Sequence, residues 1–419
     1  MDTEILSLTH QGGCIKATIP LTGSKSESNR ALILNALSKG KVRIQNLSHA
    51  DDTTTLQKAL QIATKSIDTL QTIDIGPAGT AMRFLTAYLS LIPGHFLLTG
   101  SERMKQRPIG ILVDALTGIG ANINYAGTAG YPPLDIKGAF SQISDQITIR
   151  GDVSSQYLSA LLLIAPFLPN GLTLTISSPL TSKPYVSMTL DMLKEIGVDY
   201  LWEENNITIK HQEIKESVLT VEPDWSAASY WYSVIALSPI GSSIFLPGLK
   251  NNSLQGDRAI VDIMRHFGVS SRFENNGVTL EKVSTTGGER FFNFKECPDL
   301  AQTVIACCAA LGYNAHFTGL ETLKIKETDR ILALQQELAK FSITLNEEDL
   351  GTYHLDTTSR TNPASVKIKT YEDHRMAMAF APLAIVFKEL IIEEPKVVGK
   401  SYPTFWEHLA KANFGYVLQ

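Results

Sequence analysis

The stretch Gly23-Ser24-Lys25-Ser26-Glu27-Ser28-Asn29-Arg30 separates an alternating, strand-like run, Ile15 to Leu21, from an apolar, helix-like run, Ala31 to Leu37. This pattern predicts a strand, a tight loop and the start of a helix. Ser24 followed by Glu27 fits a capping box, which directs first-turn N–H groups out of the loop. Those groups, the helix dipole and two cationic side chains would favour a bound phosphate or carboxylate. On this octamer alone, a solvated helix cap with incidental charge is an equally good interpretation.

The composition limits the class of protein. A chain of 419 residues, 44% of them hydrophobic, has enough apolar material for two or three domains. The net charge of −5 is small and Lys and Arg are dispersed, which disfavours a nucleic-acid or membrane partner. The four cysteines show no CxxC spacing, as is typical of a reducing, cytoplasmic compartment. The opening Met-Asp-Thr-Glu does not resemble a signal peptide.

The opening pattern of strand, polar loop, apolar helix and second strand recurs six times, at intervals of roughly 50–75 residues. The six loops are Gly23 to Arg30, Gly76 to Arg83, Gly151 to Gln156, Glu222 to Ser226, Glu296 to Asp299, and Tyr371 to Arg375. Ala301 to Leu311 exemplifies the predicted helices, and Leu172 to Ile176 and Ala315 to Thr318 exemplify the strands after them. Each unit therefore opens as β-α-β.

A second helix is predicted in each unit from a leucine-rich turn that ends in a small residue. In three units the small residue is Gly120, Gly197 or Gly268, which we interpret as a helix C-cap. Six such units predict an α/β protein of two similar lobes. Each lobe has three repeated β-α-β-α-β-β units, with helices inside and sheets outside, like an inverse α/β barrel. The chain is expected to cross between lobes near Leu21 to Gly23 and Val221 to Asp224, where Gly or Pro interrupts the pattern.

Charged side chains concentrate in the predicted loops. The cations are Lys25, Arg30, Arg83, Arg103, Lys105, Arg107, Lys183, Lys326, Arg330, Arg375 and Lys400. If the loops converge, several arginine forks would suit phosphate or carboxylate groups. Asp299 and Glu327 stand out against this positive background as candidates for proton transfer.

Each of these residues also has an ordinary structural interpretation. Asp299 at a helix start fits an N-cap, and Glu327 with Arg330 fits an exposed helical ion pair. For any single arginine among Arg83, Arg107, Arg330 and Arg375, a surface salt bridge is the commoner fate. His374 alone fits a structural histidine. No His, Cys and Asp cluster has metal-ligand spacing.

Seven motifs together resemble the EPSP synthase family of carboxyvinyltransferases. They are Gly23 to Arg30, Ala78 to Arg83, Arg107-Pro108-Ile109-Gly110, Val153-Ser154-Ser155-Gln156, Ser182-Lys183-Pro184-Tyr185, Lys326-Glu327-Thr328-Asp329-Arg330 and Asp373 to Met378. The resemblance covers about Gly23 to Pro403, and seven motifs in order are far more specific than one. It implies a discontinuous lobe of residues 1–21 and 223–419, an inserted lobe of residues 22–222, and a ligand cleft between them.

The resemblance implies transfer of the enolpyruvyl group of phosphoenolpyruvate to the 5-hydroxyl of shikimate 3-phosphate, within the shikimate pathway of aromatic amino acid biosynthesis. It implies no metal or organic cofactor, and we expect a cytoplasmic monomer. Implied ligands of shikimate 3-phosphate are Lys25, Ser26, Arg30, Ser154, Ser155, Gln156, Ser182, Asp299 and Lys326. Implied ligands of phosphoenolpyruvate are Lys25, Gly79, Arg107, Gln156, Arg330, Arg375 and Lys400. Asp299 would deprotonate the hydroxyl, and Glu327, with Lys25, would protonate the methylene carbon.

Three residues depart from the family pattern: Pro77, Phe84 and Thr322. Members of this family are targets of glyphosate, and Phe84 in place of proline predicts weaker inhibition. Two alternatives remain. A sister family transfers the same group to UDP-N-acetylglucosamine, but it usually has a cysteine in the loop equivalent to Glu102 to Arg107, and this chain has none there. A non-catalytic binding protein for phosphorylated sugars would not need Asp299 and Glu327 together.

Overall fold

The computed structural model describes residues 4–65, 69–138, 140–285 and 290–419. Residues 1–3, on which the signal-peptide expectation partly rests, lie outside this range. The strands are β1 (Ile5–His10), β2 (Lys16–Thr18), β3 (Val42–Gln45), β4 (Leu70–Asp74), β5 (Gly94–Thr99), β6 (Asn122–Tyr125), β7 (Leu134–Gly138), β8 (Gln146–Ile149), β9 (Leu172–Ile176), β10 (Leu201–Glu203), β11 (Asn206–Ile209), β12 (Ser217–Thr220), β13 (Ser243–Pro247), β14 (Val269–Glu274), β15 (Gly277–Lys282), β16 (Phe291–Asn293), β17 (Ala315–Thr318), β18 (Thr344–Asp349), β19 (Thr352–Asp356), β20 (Val366–Ile368), β21 (Leu390–Glu393) and β22 (Phe414–Leu418).

Helices alternate with these strands in the repeating order that the sequence predicts. The α-helices are α1 (Lys25–Leu37), α2 (Asp51–Ala63), α3 (Gly79–Leu91), α4 (Gly110–Gly118), α5 (Ser155–Ile164), α6 (Lys183–Glu195), α7 (Trp225–Leu237), α8 (Ile260–Arg265), α9 (Ala301–Leu311), α10 (Arg330–Ala339), α11 (His374–Phe380) and α12 (Phe405–Ala410). Short 3-10 helices cover Met104–Gln106, Ala165–Phe167, Gly256–Ala259, Pro298–Leu300, Glu321–Ile325, Ala381–Ile385 and Pro395–Lys400. Among the helices of the described ranges, none combines the length and the apolar character needed to cross a bilayer.

The chain divides into two compact units. The terminal unit is Met1–Thr22 with Glu222–Gln419, and the inserted unit is Gly23–Val221. These bounds differ by one residue at each crossing from the lobe bounds that the sequence predicts.

Five sheets in the described parts of the chain share one strand order. They are β4-β5-β7-β6 and β8-β9-β11-β10 in the inserted unit, and β2-β13-β15-β14, β16-β17-β19-β18 and β20-β21-β1-β22 in the terminal unit. In all five, the first two strands are parallel and the other neighbours are antiparallel. In β4-β5-β7-β6, β8-β9-β11-β10 and β16-β17-β19-β18, this pairing follows from a helical crossover and then a hairpin, since parallel neighbours need a long connection and antiparallel ones do not.

Two strands at the crossings exchange partners. β2 leads into α1 but pairs in parallel with β13, with Ala17 opposite Ile244. β12 leads into α7 but pairs in parallel with β3, with Leu219 opposite Ile44. As a result β13 of the terminal unit pairs with a strand that precedes the inserted unit, and β3 of the inserted unit pairs with the last strand of that unit. The terminal unit is therefore discontinuous in sequence.

The first helix of each repeat lies in the interior of its unit. α1, α3 and α5 contact one another in the inserted unit, as do α7, α9 and α11 in the terminal unit. Every residue of α7 except Ser226 is buried, as expected of a helix that is apolar on all sides. The prediction of an α/β fold with helices inside and sheets outside is confirmed. The C-caps of α4, α6 and α8 are Ile119, Ile196 and His266, so the interpretation of the glycines as C-caps is wrong by one or two residues. Gly120, Gly197 and Gly268 follow these caps with φ of +116°, +87° and +73°.

Gly23 packs at the first crossing, where a side chain has no room. A Cβ there would overlap the Asn46 carbonyl oxygen and lie 3.2 Å from both the Ser48 nitrogen and a Val221 methyl group. Because two of these neighbours are backbone atoms, we expect Gly23→Ala to destabilise the protein by more than about 2 kcal/mol. Calorimetry should show a lower Tm.

Gly118 provides the matched control, because it lies in α4 and a methyl group added to it would have nothing within 4 Å. Gly118→Ala should leave the Tm unchanged or raise it slightly, since alanine favours a helix by about 0.5–1 kcal/mol. Equal melting of the two variants would show that the crossing tolerates a methyl group.

Candidate functional site

The loop before α1 is capped as the sequence predicts. The Ser24 side chain is the N-cap and accepts a hydrogen bond from the Glu27 N–H. Lys25, the first helical residue, places its Nζ 3.2 Å from Asp52 Oδ2, and both side chains are largely buried. Ser26 is half-buried beside it. The helix N-terminus, a lysine and a hydroxyl are therefore together in the inserted unit.

Arg30 points into the protein. Its guanidinium donates to Thr189 Oγ1 (2.8 Å), to Ser159 Oγ (2.9 Å), and to the carbonyl oxygens of Ser26 (2.9 Å) and Tyr185 (3.1 Å). Burial lowers the pKa of Arg30 to about 10. The guanidinium remains charged at neutral pH. It joins α1 to α6, the helix that contains Tyr185 and Thr189.

Two further loops of the inserted unit meet at the start of α3. A Cβ on Gly79 would lie 2.6 Å from Arg107 Nη1, so the Arg107 guanidinium lies against the space that glycine leaves. Gln156 donates from Nε2 to Thr80 Oγ1 at 3.1 Å. Arg107 is 9% exposed, so the surface salt bridge considered for it is wrong. Arg83, at 3%, is buried too.

Ser154 and Ser182 lie at the N-caps of α5 and α6. The Ser154 side chain accepts from the Gln156 N–H, and Ser155 is the first residue of α5. Ser182 has a left-handed backbone, with φ of +54°, and is half-buried. Lys183 extends over the Trp202 ring, 5.2 Å from its centroid. The serines are accessible, whereas this lysine is occupied by an aromatic contact.

In the terminal unit, Asp299 lies among three cations. Its carboxylate is 2.8 Å from Arg375 Nη2, 3.2 Å from Arg330 Nη1 and 3.8 Å from Lys326 Nζ. Asp299 lies within a 3-10 helix, and the N-cap of α9 is Leu300. The N-cap interpretation of Asp299 is therefore wrong.

Glu327 joins the same network through Arg330. Its carboxylate is 2.9 Å from Arg330 Nη2 and 3.5 Å from Lys400 Nζ. Glu327 precedes α10, and the Arg330 side chain is only 2% exposed. The exposed helical pair is wrong because the arginine is in the interior.

Asp373 completes the enclosure of Arg330. It accepts from Arg330 Nε at 2.7 Å, and its other oxygen accepts from the Arg375 N–H at 2.9 Å as the N-cap of α11. Arg330 and Arg375 are 1% and 5% exposed, so neither forms the surface salt bridge considered for it. His374, also buried, has its Nδ1 3.3 Å from Asp373.

The charges of this network shift the pKa values of Asp299 and Arg330 so that the charged form of each group is favoured. Burial alone would raise the pKa of Asp299, but Arg375, Lys326 and Arg330 outweigh burial and hold that pKa well below its usual range. Burial would lower the pKa of Arg330, yet its acidic neighbours raise it above the ordinary value. Both groups are therefore charged near neutral pH.

Asp257 is a functional candidate that the sequence analysis missed. Ser226 Oγ donates to Asp257 Oδ2 and accepts a long bond, 3.4 Å, from Arg375 Nη2. Within the described residues, the buried Asp257 Oδ1 has no hydrogen-bond partner. Burial, with the nearby negative charge of Asp299, raises the pKa of Asp257 to about 7. The only signal in the sequence was an acidic residue in a loop before a second helix, which is too common to decide a role.

The structure thus gives two groups of predicted site residues. One, in the inserted unit, comprises Lys25, Ser26, Gly79, Arg107, Ser154, Ser155, Gln156 and Ser182, with Arg30 behind them. The other, in the terminal unit, comprises Asp299, Lys326, Glu327, Arg330, Arg375 and Lys400. In the described ranges, no three His, Cys, Asp or Glu side chains are grouped as metal ligands.

A family model described as EPSP synthase (3-phosphoshikimate 1-carboxyvinyltransferase) matches residues 9–409. The chain belongs to the EPSP synthase family. A 3-phosphoshikimate 1-carboxyvinyltransferase of Bacteroides fragilis (strain YCH46) is 48% identical over 402 residues, 96% of each chain. One from Sulfurovum sp. (strain NBC37-1) is 35% identical, over 94% of this chain and 96% of its own. The predicted family, and with it a transferase, is confirmed, and the UDP-N-acetylglucosamine alternative is not favoured.

A solved EPSP synthase structure from Acinetobacter baumannii has the same fold. It superposes with a TM-score of 0.79 over 100% of both chains, at 20% sequence identity. At that identity the likeness concerns the fold. A shared fold at this identity assigns no role to an individual side chain.

The raised pKa of Asp257 predicts how stability changes with pH. Between the ordinary aspartate pKa, about 4, and about 7, the folded state keeps a proton that the unfolded state has lost. The free energy of unfolding should therefore fall as pH rises through this window. In the Asp257→Asn variant the asparagine side chain cannot ionise, so this variant does not share the loss of stability that wild type shows as pH rises. The Tm of the variant minus the Tm of wild type should therefore increase between pH 5 and pH 8.

Asp262 serves as a control because it is an exposed aspartate near Asp257, in α8. For Asp262→Asn the difference in Tm from wild type should change little over the same range, since its ion pairs with Arg258 and Arg265 lie at the surface and such pairs contribute little to stability. A pH-independent difference for Asp257→Asn would contradict the raised pKa.

Proposed function

We propose that this protein transfers the enolpyruvyl group of phosphoenolpyruvate to the 5-hydroxyl of shikimate 3-phosphate, with release of phosphate. The observation that carries the proposal is the network in which Asp299 and Glu327 share the buried Arg330. The reaction needs a base for the hydroxyl and an acid for the methylene carbon. Asp299 and Glu327, which are held by the same arginine, would supply the base and the acid close to each other.

Phosphoenolpyruvate would be bound by arginines and lysines. Arg330, Arg375 and Lys400 in the terminal unit would bind it, with Lys25, Gly79, Arg107 and Gln156 of the inserted unit. Two observations support this assignment: the arginine forks are buried, and their planar geometry matches carboxylate and phosphate groups. The predicted cleft between the lobes stays a prediction.

Shikimate 3-phosphate would be bound mainly by hydroxyl and amide groups at helix starts. Ser26, Ser154, Ser155, Gln156 and Ser182 would bind it, with Lys25, Arg30, Lys326 and Asp299. Helix N-termini favour a phosphate through their N–H groups and dipole. Arg30 would act mostly through the Ser26 and Tyr185 carbonyls that it holds.

The low pKa of Asp299 has a consequence for catalysis. A carboxylate stabilised by three cations is a weak base, whereas proton transfer is most efficient when the pKa is near the working pH. Anionic substrates would share Arg330, Arg375 and Lys326, weaken their hold on Asp299 and raise its basicity. In this proposal the substrates themselves prepare the base, and Glu327, which contacts Arg330 and Lys400, protonates the methylene carbon.

The substrate assignment is tested by phosphate release from phosphoenolpyruvate. Turnover is expected with shikimate 3-phosphate and not with UDP-N-acetylglucosamine as acceptor. Turnover with the nucleotide sugar alone would support the sister reaction. Binding of shikimate 3-phosphate without turnover would support a non-catalytic binding protein. The absence of a cofactor requirement, the monomeric state and the cytoplasmic location stay predictions.

The roles of the two carboxylates are tested by Asp299→Asn and Glu327→Gln. Each should lower kcat by at least about a hundredfold, the usual scale for losing acid–base catalysis. The affinity for shikimate 3-phosphate, measured by calorimetry, should change less, because the amides keep the shape of the site. Near-normal kcat in either variant would remove that residue from the mechanism.

Glu321→Gln is the matched control for Glu327→Gln. Glu321 is an exposed glutamate in the same segment, six residues earlier. Its substitution should leave kcat within about twofold of wild type. A comparable loss in both variants would indicate a general effect of neutralising charge in this segment.

A further inference from the structure

Two side chains of the inserted unit converge on the carbonyl oxygen of Pro108. The Tyr157 hydroxyl donates to it at 2.5 Å, and Arg83 Nη2 donates to it at 2.9 Å. Tyr157 is 4% exposed and Arg83 is 3% exposed. A carbonyl oxygen has two lone pairs, so these two donors use its full capacity. Pro108 directly follows Arg107, which we assign to phosphoenolpyruvate.

The carbonyl is the only backbone hydrogen-bonding group of Pro108, because proline has no N–H. The neighbouring residues are held by the backbone itself. The Arg107 N–H donates to Met104 O at 3.0 Å, and the N–H groups of Ile109 and Gly110 donate to Gly130 O at 2.9 and 3.1 Å. The two side-chain donors therefore hold the carbonyl end of the Pro108–Ile109 peptide group, whose N–H end is held by the Gly130 carbonyl.

Arg83 also reaches the opposite wall of the Arg107 site. Its Nη1 lies 3.3 Å from the carbonyl oxygen of Gly79 and 3.3 Å from Met104 Sδ. The Arg107 guanidinium packs against Gly79 itself. Arg83 thus connects Pro108, which follows Arg107, with Gly79, the first residue of α3, against which Arg107 lies. The centroid of the Tyr157 ring lies 6.0 Å from the Arg83 guanidinium.

Tyr157 links this arrangement to the proposed acceptor side. It follows Gln156 in α5, and Gln156 binds Thr80 in the first turn of α3. A shift of α5 would therefore move the Gln156 amide, which bonds Thr80 at the start of α3, together with the Tyr157 hydroxyl, which bonds the Pro108 carbonyl. A displacement of about 1 Å in a positioning group is enough to reduce an enzyme's efficiency strongly.

We propose that Tyr157 is a positioning residue that, with Arg83, holds the Pro108 peptide so that the Arg107 guanidinium lies against Gly79 in the orientation that binds phosphoenolpyruvate. The inference rests on the proposed function. Tyr157 does not touch substrate in this account. It determines affinity for phosphoenolpyruvate through Arg107.

Tyr157→Phe removes the hydroxyl and keeps the ring. The KM for phosphoenolpyruvate should rise about tenfold, while kcat and the KM for shikimate 3-phosphate stay within about twofold of wild type. A merely structural bond would lower the Tm without this split between the two substrates. An unchanged KM for phosphoenolpyruvate, or an equal rise in both KM values, would overturn the proposal.

Tyr232→Phe is the matched control. Tyr232 is a buried tyrosine of the terminal unit whose hydroxyl lies 3.0 Å from Ser271 Oγ, so its loss also removes a buried hydrogen bond. Both KM values should remain within about twofold of wild type. A selective tenfold rise in this variant too would overturn the proposal, because the effect would then not depend on Arg107.

Arg107→Lys tests whether Tyr157 acts through Arg107, since lysine keeps the charge but loses the planar fork. In the Arg107→Lys background, Tyr157→Phe should raise the KM for phosphoenolpyruvate by no more than about twofold. A full tenfold increment there, which would make the two effects additive, would overturn the proposal. Wild-type turnover tests the proposed function separately, so failure of one does not imply failure of the other.

Discussion

Burial of the Arg330 guanidinium is the constraint on which the candidate site of the terminal unit depends. Removing an unpaired charge from water costs several kcal/mol, and a buried arginine persists only when its donors meet acceptors. Asp299, Glu327 and Asp373 provide them from three separate segments. Because one planar cation bonds all three, the segments that carry the proposed base and acid cannot move independently without leaving a buried charge unpaired.

The same constraint shapes what ligands can do. Within the terminal unit, acidic side chains neutralise the cations that we assign to phosphoenolpyruvate, with Asp299 facing Arg375 and Glu327 facing Lys400. An anionic substrate therefore competes with these internal partners. In the proposed mechanism that competition would reduce affinity, but Asp299, once displaced from its cations, would become more basic at the moment when a base is needed. Asp257 adds little negative charge to this balance when the pH is below its raised pKa of about 7, and more when the pH is above it.

The sequence predicted the repeated elements well because their patterns are local. Ala301–Leu311, Leu172–Ile176 and Ala315–Thr318 coincide with their predicted ranges. Local patterns do not indicate which strands pair. The pairing of β2 with β13 and of β12 with β3 could therefore be learned only from the resemblance or from the structure. The structural interpretations of Asp299, Glu327 and the four arginines failed for a related reason. An ion pair's burial depends on segments far away in sequence, such as the Asp373 loop 43 residues beyond Arg330.

Arg30 has internal partners in addition to the ligand role that its motif predicts, and that role stays a prediction. Its donors bind Thr189, Ser159 and two backbone carbonyls. Its guanidinium also lies 5.4 Å from the centroid of the Phe84 ring, at a position where the family pattern has proline. A buried aromatic ring favours a cation over its face, which proline cannot match. Phe84 and the inward-pointing Arg30 therefore join α3 to α1, the helices whose first turns carry Gly79 and Lys25.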